Sequence, residues 1–185
     1  MRDSLRGARE ISDAELVEQA CSGDDRAFSA LVRRHHASAY RVALSITRRD
    51  DIAQDVVQDA FIKAFRAVGG FRGDSSFRTW MMTVTANEAR AALRKRGRWN
   101  ESSLEDVGPL EASAPDPAEQ AVTGQESARA RAMLDTLPEK QRLAISARVD
   151  EGLGFREIAA LIGSSEGAAR VNYFHGIRRL RELME

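Results

Sequence analysis

The middle of this chain carries negative charge without positive charge, and this limits what the whole chain can fold into. Between Glu101 and Glu126 the sequence has seven acidic residues and no Lys or Arg. Three of the four prolines fall in the same stretch, namely Pro109, Pro115 and Pro117. Proline interrupts helices and like charges repel, so this composition favours an extended tether over a packed element. We therefore expect the chain to be divided here.

Composition supports folded domains on both sides of the tether. Hydrophobic residues make up 43% of the chain and charged residues 30%, which leaves enough apolar side chain for packed cores. Apolar residues recur at spacings of three and four, and period-two alternation is nearly absent, which indicates helices. The sequence therefore predicts an all-α protein of two small helical domains, residues 1–98 and 119–185, joined by an acidic flexible linker at 99–118.

Helix boundaries in the first domain follow from capping and glycine signals. Ser12 and Glu15 form a capping-box pattern that opens a helix reaching about Ala20. Three more helices are predicted at residues 25–48, 50–68 and 76–96, the last ended by Gly97. The third should bury a stripe of apolar residues and turn its acidic and amide side chains outward.

The second domain carries the pattern of a helix-turn-helix. Helices are predicted at 119–135 and 138–152, and a short helix at 155–162, a glycine turn and a longer helix at 165–184 follow. The second helix of such a unit enters the major groove of DNA, where Arg170 and His175 could reach base edges or phosphates. Arg148 could hold a phosphate. The alternative is an ordinary helical hairpin with solvated surface charges.

The segment from Phe71 to Arg98 combines aromatic side chains, the amide of Asn87 and several cations. Bases of a single strand stack on aromatic faces while cations follow the phosphates, so the segment suits an unpaired strand. For Phe77 and Trp80 the competing interpretation is a place in the core. Phe71, in a polar loop, is the better candidate for exposure.

Charge and cysteine content exclude several function classes. The chain has 28 basic and 28 acidic residues, whereas a protein that grips DNA unaided usually carries a positive surplus. One cysteine, Cys21, excludes an internal disulfide framework and a thiolate cluster for zinc or iron. His35, His36 and Cys21 lack a further ligand at suitable spacing, so no metal site is predicted.

The sequence also lacks the patterns of a membrane span, a signal peptide and a catalytic site. No apolar run approaches the roughly 18 residues that span a bilayer, and the polar start lacks the apolar core of a signal peptide. We therefore expect a cytoplasmic protein without membrane insertion. No nucleophile-and-base pattern and no phosphate-binding glycine loop is recognisable, so neither a cofactor nor an enzymatic activity is expected.

Several motifs resemble those of the extracytoplasmic-function (ECF) sigma factors, compact two-domain subunits of bacterial RNA polymerase. Residues 55–65 (DVVQDAFIKAF) and 71–80 (FRGDSSFRTW), with Asn87, look like the family's domain 2. Residues 137–142 (LPEKQR), 157–163 (EIAALIG) and 178–181 (RRLR) look like domain 4. The resemblance covers nearly the whole chain. It implies a transcription initiation factor that binds core polymerase and directs it to promoters.

The resemblance also implies residue roles in domain 2. The outward face holding Asp55, Gln58 and Asp59 would dock on the clamp helices of the largest polymerase subunit. Another set would read, hold and help to melt the non-template strand of the −10 element: Phe71, Arg72, Ser75, Asn87, Arg90 and Arg94.

Domain 4 would contact the −35 element and dock on the flap of the second-largest subunit. The implied DNA contacts are Arg148, Arg170, Asn172, Phe174, His175 and Arg178. Gly176 departs from what a helix favours, because glycine costs about 1 kcal/mol of helix stability relative to alanine. Members of the family usually work under an anti-sigma factor that masks these surfaces, so such a partner is expected.

Two other classes remain as alternatives. A stand-alone helix-turn-helix transcriptional regulator would bind an operator as a dimer, but it needs a ligand or dimer domain where this chain has aromatic residues and arginines. A protein-interaction adaptor would leave both basic helices without a role.

Overall fold

The computed structural model describes residues 11–102 and 123–184, and every regular element in these two ranges is helical. The prediction of an all-α fold is confirmed for this part of the chain. Residues 103–118 of the predicted linker, and the predicted start of a helix at residue 119, lie outside the described ranges.

The first half forms four α-helices with a short 3-10 turn at Val68–Gly70. They are α1 (Asp13–Cys21), α2 (Asp25–Thr47), α3 (Asp50–Ala67) and α4 (Phe77–Ser102). The capping box at the start of α1 is confirmed: the Glu15 backbone N–H donates to Ser12 Oγ at 3.3 Å, and the Ser12 N–H donates to the Glu15 carboxylate at 2.8 Å. These bonds satisfy N–H groups that a helix start otherwise leaves unpaired.

The fourth helix is longer than the sequence predicts. The prediction that Gly97 ends it is wrong, since α4 continues to Ser102. Gly97 does not take the positive φ that a glycine adopts when it caps a helix. A glycine inside a helix costs only about 1 kcal/mol relative to alanine, so the helix continues through it.

The core of the first half lies between α2, α3 and α4. Fully buried side chains come from all three helices: Leu31, Val57, Met81 and Met82. The predicted stripe of α3 is buried as well, comprising Ile52, Val56, Ala60 and Ala64. Helical spacing places Phe65 beside this stripe, but its residue surface is 48% exposed. It packs edge-on against Phe28 at the rim, with 5.0 Å between ring centroids.

The second half forms a helix-turn-helix packed on a supporting helix. Its elements are α5 (Thr123–Asp135), α6 (Glu139–Val149), α7 (Phe155–Ile162) and α8 (Glu166–Glu182). Gly163 ends α7 with a φ of 61°, a left-handed conformation that suits glycine. Ser165 then caps α8, because its side chain accepts a hydrogen bond from the Ala168 N–H at 3.2 Å. The predicted turn between the two helices therefore forms.

The two halves contact each other, with α6 against α2 and α7 against α4. Arg142 of α6 is 3% exposed and lies in this contact. Its guanidinium donates to the Leu137 carbonyl at 2.7 Å and to the Ser45 carbonyl in α2. A buried cation is tolerated only when its donors are paired, so this residue fixes α6 on α2.

Within the described ranges, no helix is both long enough and apolar enough to cross a membrane.

Candidate nucleic-acid interface

The loop before α4 and the outer face of α4 carry polar and basic side chains that are open to solvent. Four of the side chains expected at the −10 element are exposed: Arg72, Ser75, Asn87 and Arg94. Arg72 lies 3.3 Å from the Asp74 carboxylate, and both side chains are largely exposed. An exposed ion pair contributes little, so Arg72 can exchange Asp74 for another anion.

The aromatic residues of this region form one cluster beneath the loop. Phe77 is 3% exposed and belongs to the core, and Trp80 is half-buried against it. Phe71 is half-buried rather than exposed, because its ring packs against Trp80 and Phe77 with centroid distances of 5.2 and 6.1 Å. Phe71 is therefore more exposed than Phe77, as expected, but it is half-buried like Trp80. Apolar contact with two neighbouring rings outweighs the polar sequence around it.

Arg90 is held by the second half of the chain. Its Nε donates to the Glu139 carboxylate at 2.9 Å, and a terminal nitrogen donates to the Leu161 carbonyl at 3.1 Å. Its side chain is only 22% exposed. In this arrangement the guanidinium is already occupied, unlike that of Arg94 on the same helix.

The outer face of α8 carries most of the side chains expected at the −35 element. Arg170, Phe174, His175 and Arg178 are exposed. Asn172 differs, because its side-chain amide donates to the Ala168 carbonyl at 2.8 Å and the residue is half-buried. Phe174 is 56% exposed, and Val171 beside it is 53% exposed. This helix therefore presents apolar surface as well as cations.

Arg148 and Arg170 meet over one aromatic ring. The guanidinium carbons of Arg148 and Arg170 lie 5.2 and 4.6 Å from the centroid of the Phe155 ring. Phe155 was missed in the sequence, where it reads only as the first residue of α7. The three residues come from α6, α7 and α8, so no local spacing connects them.

Gly176 has a packing reason that the sequence does not reveal. It is buried where α8 crosses α6, and a Cβ added there would lie 2.6 Å from Ile145 Cδ1 and 3.3 Å from Gln141 Cβ. A glycine at this position lowers the helix stability of α8, but only a residue without a Cβ lets α8 approach α6 so closely.

The outer face of α3 borders an apolar groove. Asp55, Gln58 and Asp59 are exposed, as the helical periodicity predicts. The groove has a volume of about 630 Å³ and runs between α2 and α3. Its lining includes Gln58 together with the exposed Ile62 and Phe65. An apolar groove on a helix that also exposes acidic side chains is typical of a surface that binds another helix.

A buried carboxylate joins the two halves. Glu151, in the turn between α6 and α7, has a side chain that is 1% exposed. It accepts hydrogen bonds from Arg41 Nε at 2.6 Å, from Ser38 Oγ at 2.8 Å and from a guanidinium nitrogen of Arg78. Burial alone would raise the pKa of Glu151, but these three donors outweigh it and hold the pKa below its usual value. We call these four residues the Glu151 cluster.

A second carboxylate makes a similar contact nearby. Glu157 accepts a hydrogen bond from Thr79 Oγ1 at 2.6 Å and another from the Gly154 N–H at 2.9 Å. Both bonds favour the charged form and lower the pKa of Glu157. Neither carboxylate was singled out in the sequence, because their partners in the first half lie 73 to 113 residues away.

The histidines and the cysteine form no cation site among the described residues, where no group of three or more metal-ligating side chains occurs. His35 is buried and lies 2.6 Å from the Asp13 carboxylate through Nε2. Cys21 donates its thiol hydrogen to the Val68 carbonyl, with 3.1 Å between the two heavy atoms. His35 therefore serves packing within the first half, whereas Cys21 is exposed and contacts only the 3-10 turn through this bond.

Comparison with known proteins gives consistent matches along the chain. The family model Sigma-70 region 2 matches residues 31–98, and the model Sigma-70, region 4 matches residues 127–180. The ECF RNA polymerase sigma-E factor of Haemophilus influenzae is 34% identical over 96% of both chains. That of Escherichia coli K12 is 35% identical over 96% of this chain and 95% of its own.

A solved structure supports the same fold. The sigma factor RpoE in complex with the anti-sigma factor NepR, from Bartonella quintana, has a TM-score of 0.70 and 25% sequence identity. The match covers 85% of this chain and 96% of that chain.

A helix-turn-helix, a second basic surface and these matches together define a transcription initiation factor that directs RNA polymerase to promoters. The chain belongs to the ECF sigma factors. The family expected from the sequence motifs is thereby confirmed.

Proposed function

We propose that this chain binds core RNA polymerase in the cytoplasm, reads the −10 and −35 elements with its two halves and melts the promoter, without any catalytic group of its own. The observation that carries the proposal is the pair of separate basic surfaces, one on α4 and one on α8. Each surface alone offers few cations on a chain of zero net charge. Two weak contacts become specific only when a larger assembly presents both at once.

The −10 contact is assigned to the loop before α4 and to the outer face of that helix. Arg72, Ser75, Asn87 and Arg94 are exposed there and can contact phosphates or base edges. The ring of Phe71, packed on Trp80, offers a stacking surface at the base of the loop. A base flipped out of the non-template strand would meet an amide, a ring and cations within this region.

The −35 contact is assigned to α8 in the major groove. Arg170, His175 and Arg178 would contact base edges or phosphates, and Arg148 would hold a phosphate beside them. Phe174 suits an apolar contact, such as the methyl group of thymine. Asn172 would first exchange its bond to the Ala168 carbonyl for one to DNA.

Core binding is assigned to α3 and to the second half. Asp55 and Asp59 are exposed on α3, the helix that also lines the groove with Ile62 and Phe65. A helix with one apolar face and basic flanks would bury these exposed side chains, which suits the clamp helices of the largest polymerase subunit. The second half would dock on the flap of the second-largest subunit.

Promoter binding also requires a change in how the halves meet. Arg90 is bound to Glu139 and to the Leu161 carbonyl, so it can hold the −10 strand only after α6 and α7 move away. Because the RpoE relative has an anti-sigma partner, we include control by an anti-sigma factor that covers the same surfaces.

Run-off transcription with purified core polymerase tests the proposal. Core enzyme with the wild-type chain should initiate at defined positions on a library of promoter fragments, and core enzyme alone should not. A stand-alone regulator would instead bind a DNA site tightly without polymerase. Failure of the purified chain to associate with core polymerase would refute the proposal.

A further inference from the structure

Phe155 connects three helices through its ring. Arg148 lies at the end of α6, Phe155 begins α7 and Arg170 lies in the second turn of α8. The two guanidinium carbons are 5.2 and 4.6 Å from the ring centroid, within the range in which a cation is attracted by an aromatic face. Two arginines that are far apart in sequence thus share one contact.

The ring itself is held in place. Tyr173 meets Phe155 edge to face, with centroids 5.7 Å apart and an interplanar angle of 67°. The ring centroid of Phe174, the next residue of α8, lies 6.3 Å from that of Phe155. Edge-to-face pairs of this kind are favourable, so the orientation of the Phe155 ring depends on α8.

Each guanidinium has one further contact besides the ring. Arg148 donates to the Leu153 carbonyl at 2.8 Å, and Arg170 lies 3.2 Å from the exposed Glu166 carboxylate. A guanidinium has five N–H donors in a planar fork, so most of its donors remain available to a ligand.

We infer that Phe155 is a positioning residue for recognition of the −35 element. Its ring holds Arg148 and Arg170 at a fixed separation before DNA arrives, with Arg170 directed to a base edge and Arg148 to a phosphate. Arg148 and Arg170 then lose less side-chain entropy when DNA binds, and the two cations keep a fixed position relative to each other. The inference rests on the proposed function, because it assigns a role within the same DNA-binding surface.

The competing role for Phe155 is that of an apolar filler between α7 and α8. The two roles differ in what they require of the side chain. Leucine fills a similar space but offers no aromatic face, whereas tyrosine keeps the face. A filler tolerates Phe155→Leu about as well as Phe155→Tyr, whereas a positioning ring tolerates only the tyrosine variant.

The test uses the full chain with core polymerase and a promoter library randomised across the −35 segment. We expect Phe155→Leu to lower transcription from the templates preferred by wild type by about tenfold, which corresponds to about 1.4 kcal/mol. The preference among −35 sequences should flatten, while the preference at the −10 element stays unchanged. Phe155→Tyr should behave as wild type.

A double-mutant cycle separates positioning from a loss of stability. In an Arg170→Ala background, Phe155→Leu should cost less than in wild type, because one of the positioned groups is already gone. Arg179→Ala, an exposed arginine on the same helix that does not contact Phe155, serves as the control background. Equal effects of Phe155→Leu in all backgrounds would overturn the inference, as would an unchanged −35 preference. If wild type itself does not initiate, the proposed function fails instead.

Discussion

Replacing Glu151 by glutamine should weaken the contact between the two halves. The carboxylate is 1% exposed and accepts three hydrogen bonds from residues of the first half. Glutamine keeps the size of the side chain but removes the charge and replaces one acceptor oxygen with an NH₂ donor. That donor would face arginine N–H groups, so at least one bond is lost outright.

The magnitude follows from burial and exposure within the Glu151 cluster. A hydrogen bond to a charged group contributes about 1.5–3 kcal/mol to stability. The arginine side chains are 44% and 34% exposed, so they regain water when the carboxylate is gone and the full sum is not lost. We expect Glu151→Gln to weaken the contact by about 2 kcal/mol, or about thirtyfold in the equilibrium between closed and separated halves.

Fluorescence energy transfer between two dyes measures this equilibrium directly. One dye can be placed on Cys21, which is exposed in α1, and the other on a cysteine introduced by Glu182→Cys at the end of α8. Glu151→Gln should lower transfer efficiency and increase the radius of gyration. The matched control is Glu166→Gln, which removes an exposed carboxylate from the same half and should change neither quantity.

The same variant has a defined pH dependence. Because the folded-state pKa of Glu151 lies below its ordinary value of 4.5, its contribution is complete above about pH 4.5 and is lost as pH falls through the lowered value. Wild type should therefore lose energy transfer on acidification in a step that Glu151→Gln lacks. Identical acid profiles, or equal effects of Glu151→Gln and Glu166→Gln, would refute the reasoning.

Three further variants test other parts of the structure. Glu139→Gln removes the carboxylate partner of Arg90. The free chain should therefore bind a single-stranded −10 oligonucleotide more tightly, as measured by fluorescence anisotropy. Weaker or unchanged binding would contradict the idea that Glu139 keeps Arg90 from the strand. Gly176→Ala should lower the free energy of unfolding in urea by about 1 kcal/mol, because overpacking against Ile145 exceeds the gain in helix propensity. Ile145→Val should relieve part of this loss. A stabilised Gly176→Ala variant would contradict the packing argument. Asn87→Ala should impair promoter melting in permanganate footprinting while leaving binding to core polymerase intact; loss of core binding instead would remove Asn87 from its assigned role.

Local signals in the sequence predicted most of the helices. Ser12 with Glu15 and Gly163 with Ser165 each involve residues within a few positions, and the structure forms both features. The outward face of α3 followed from helical periodicity in the same way. Gly97 shows the limit of such signals, because a glycine ends a helix only where the chain takes a positive φ.

The parts of the site that the sequence did not predict depend on distant contacts. Phe71 is covered by rings that become its neighbours only after α4 packs. The resemblance to ECF sigma factors assigned Arg90 to DNA, yet its partners in the structure lie 49 and 71 residues away. Phe155 and Glu151 carry no pattern in their own segments, and their roles arise from the way that the helices meet.

The members of the Glu151 cluster leave the ribosome at different times, and this affects how the first half folds during synthesis. Arg78 leaves the ribosome 73 residues before Glu151 and Ser38 leaves 113 residues before it. At about 5–20 residues per second, the first half waits roughly 4 to 20 s for the carboxylate that will bind it. During that interval Arg41 and Arg78 remain hydrated, and Leu31, Met81 and Met82 must hold the nascent bundle together without help from the second half.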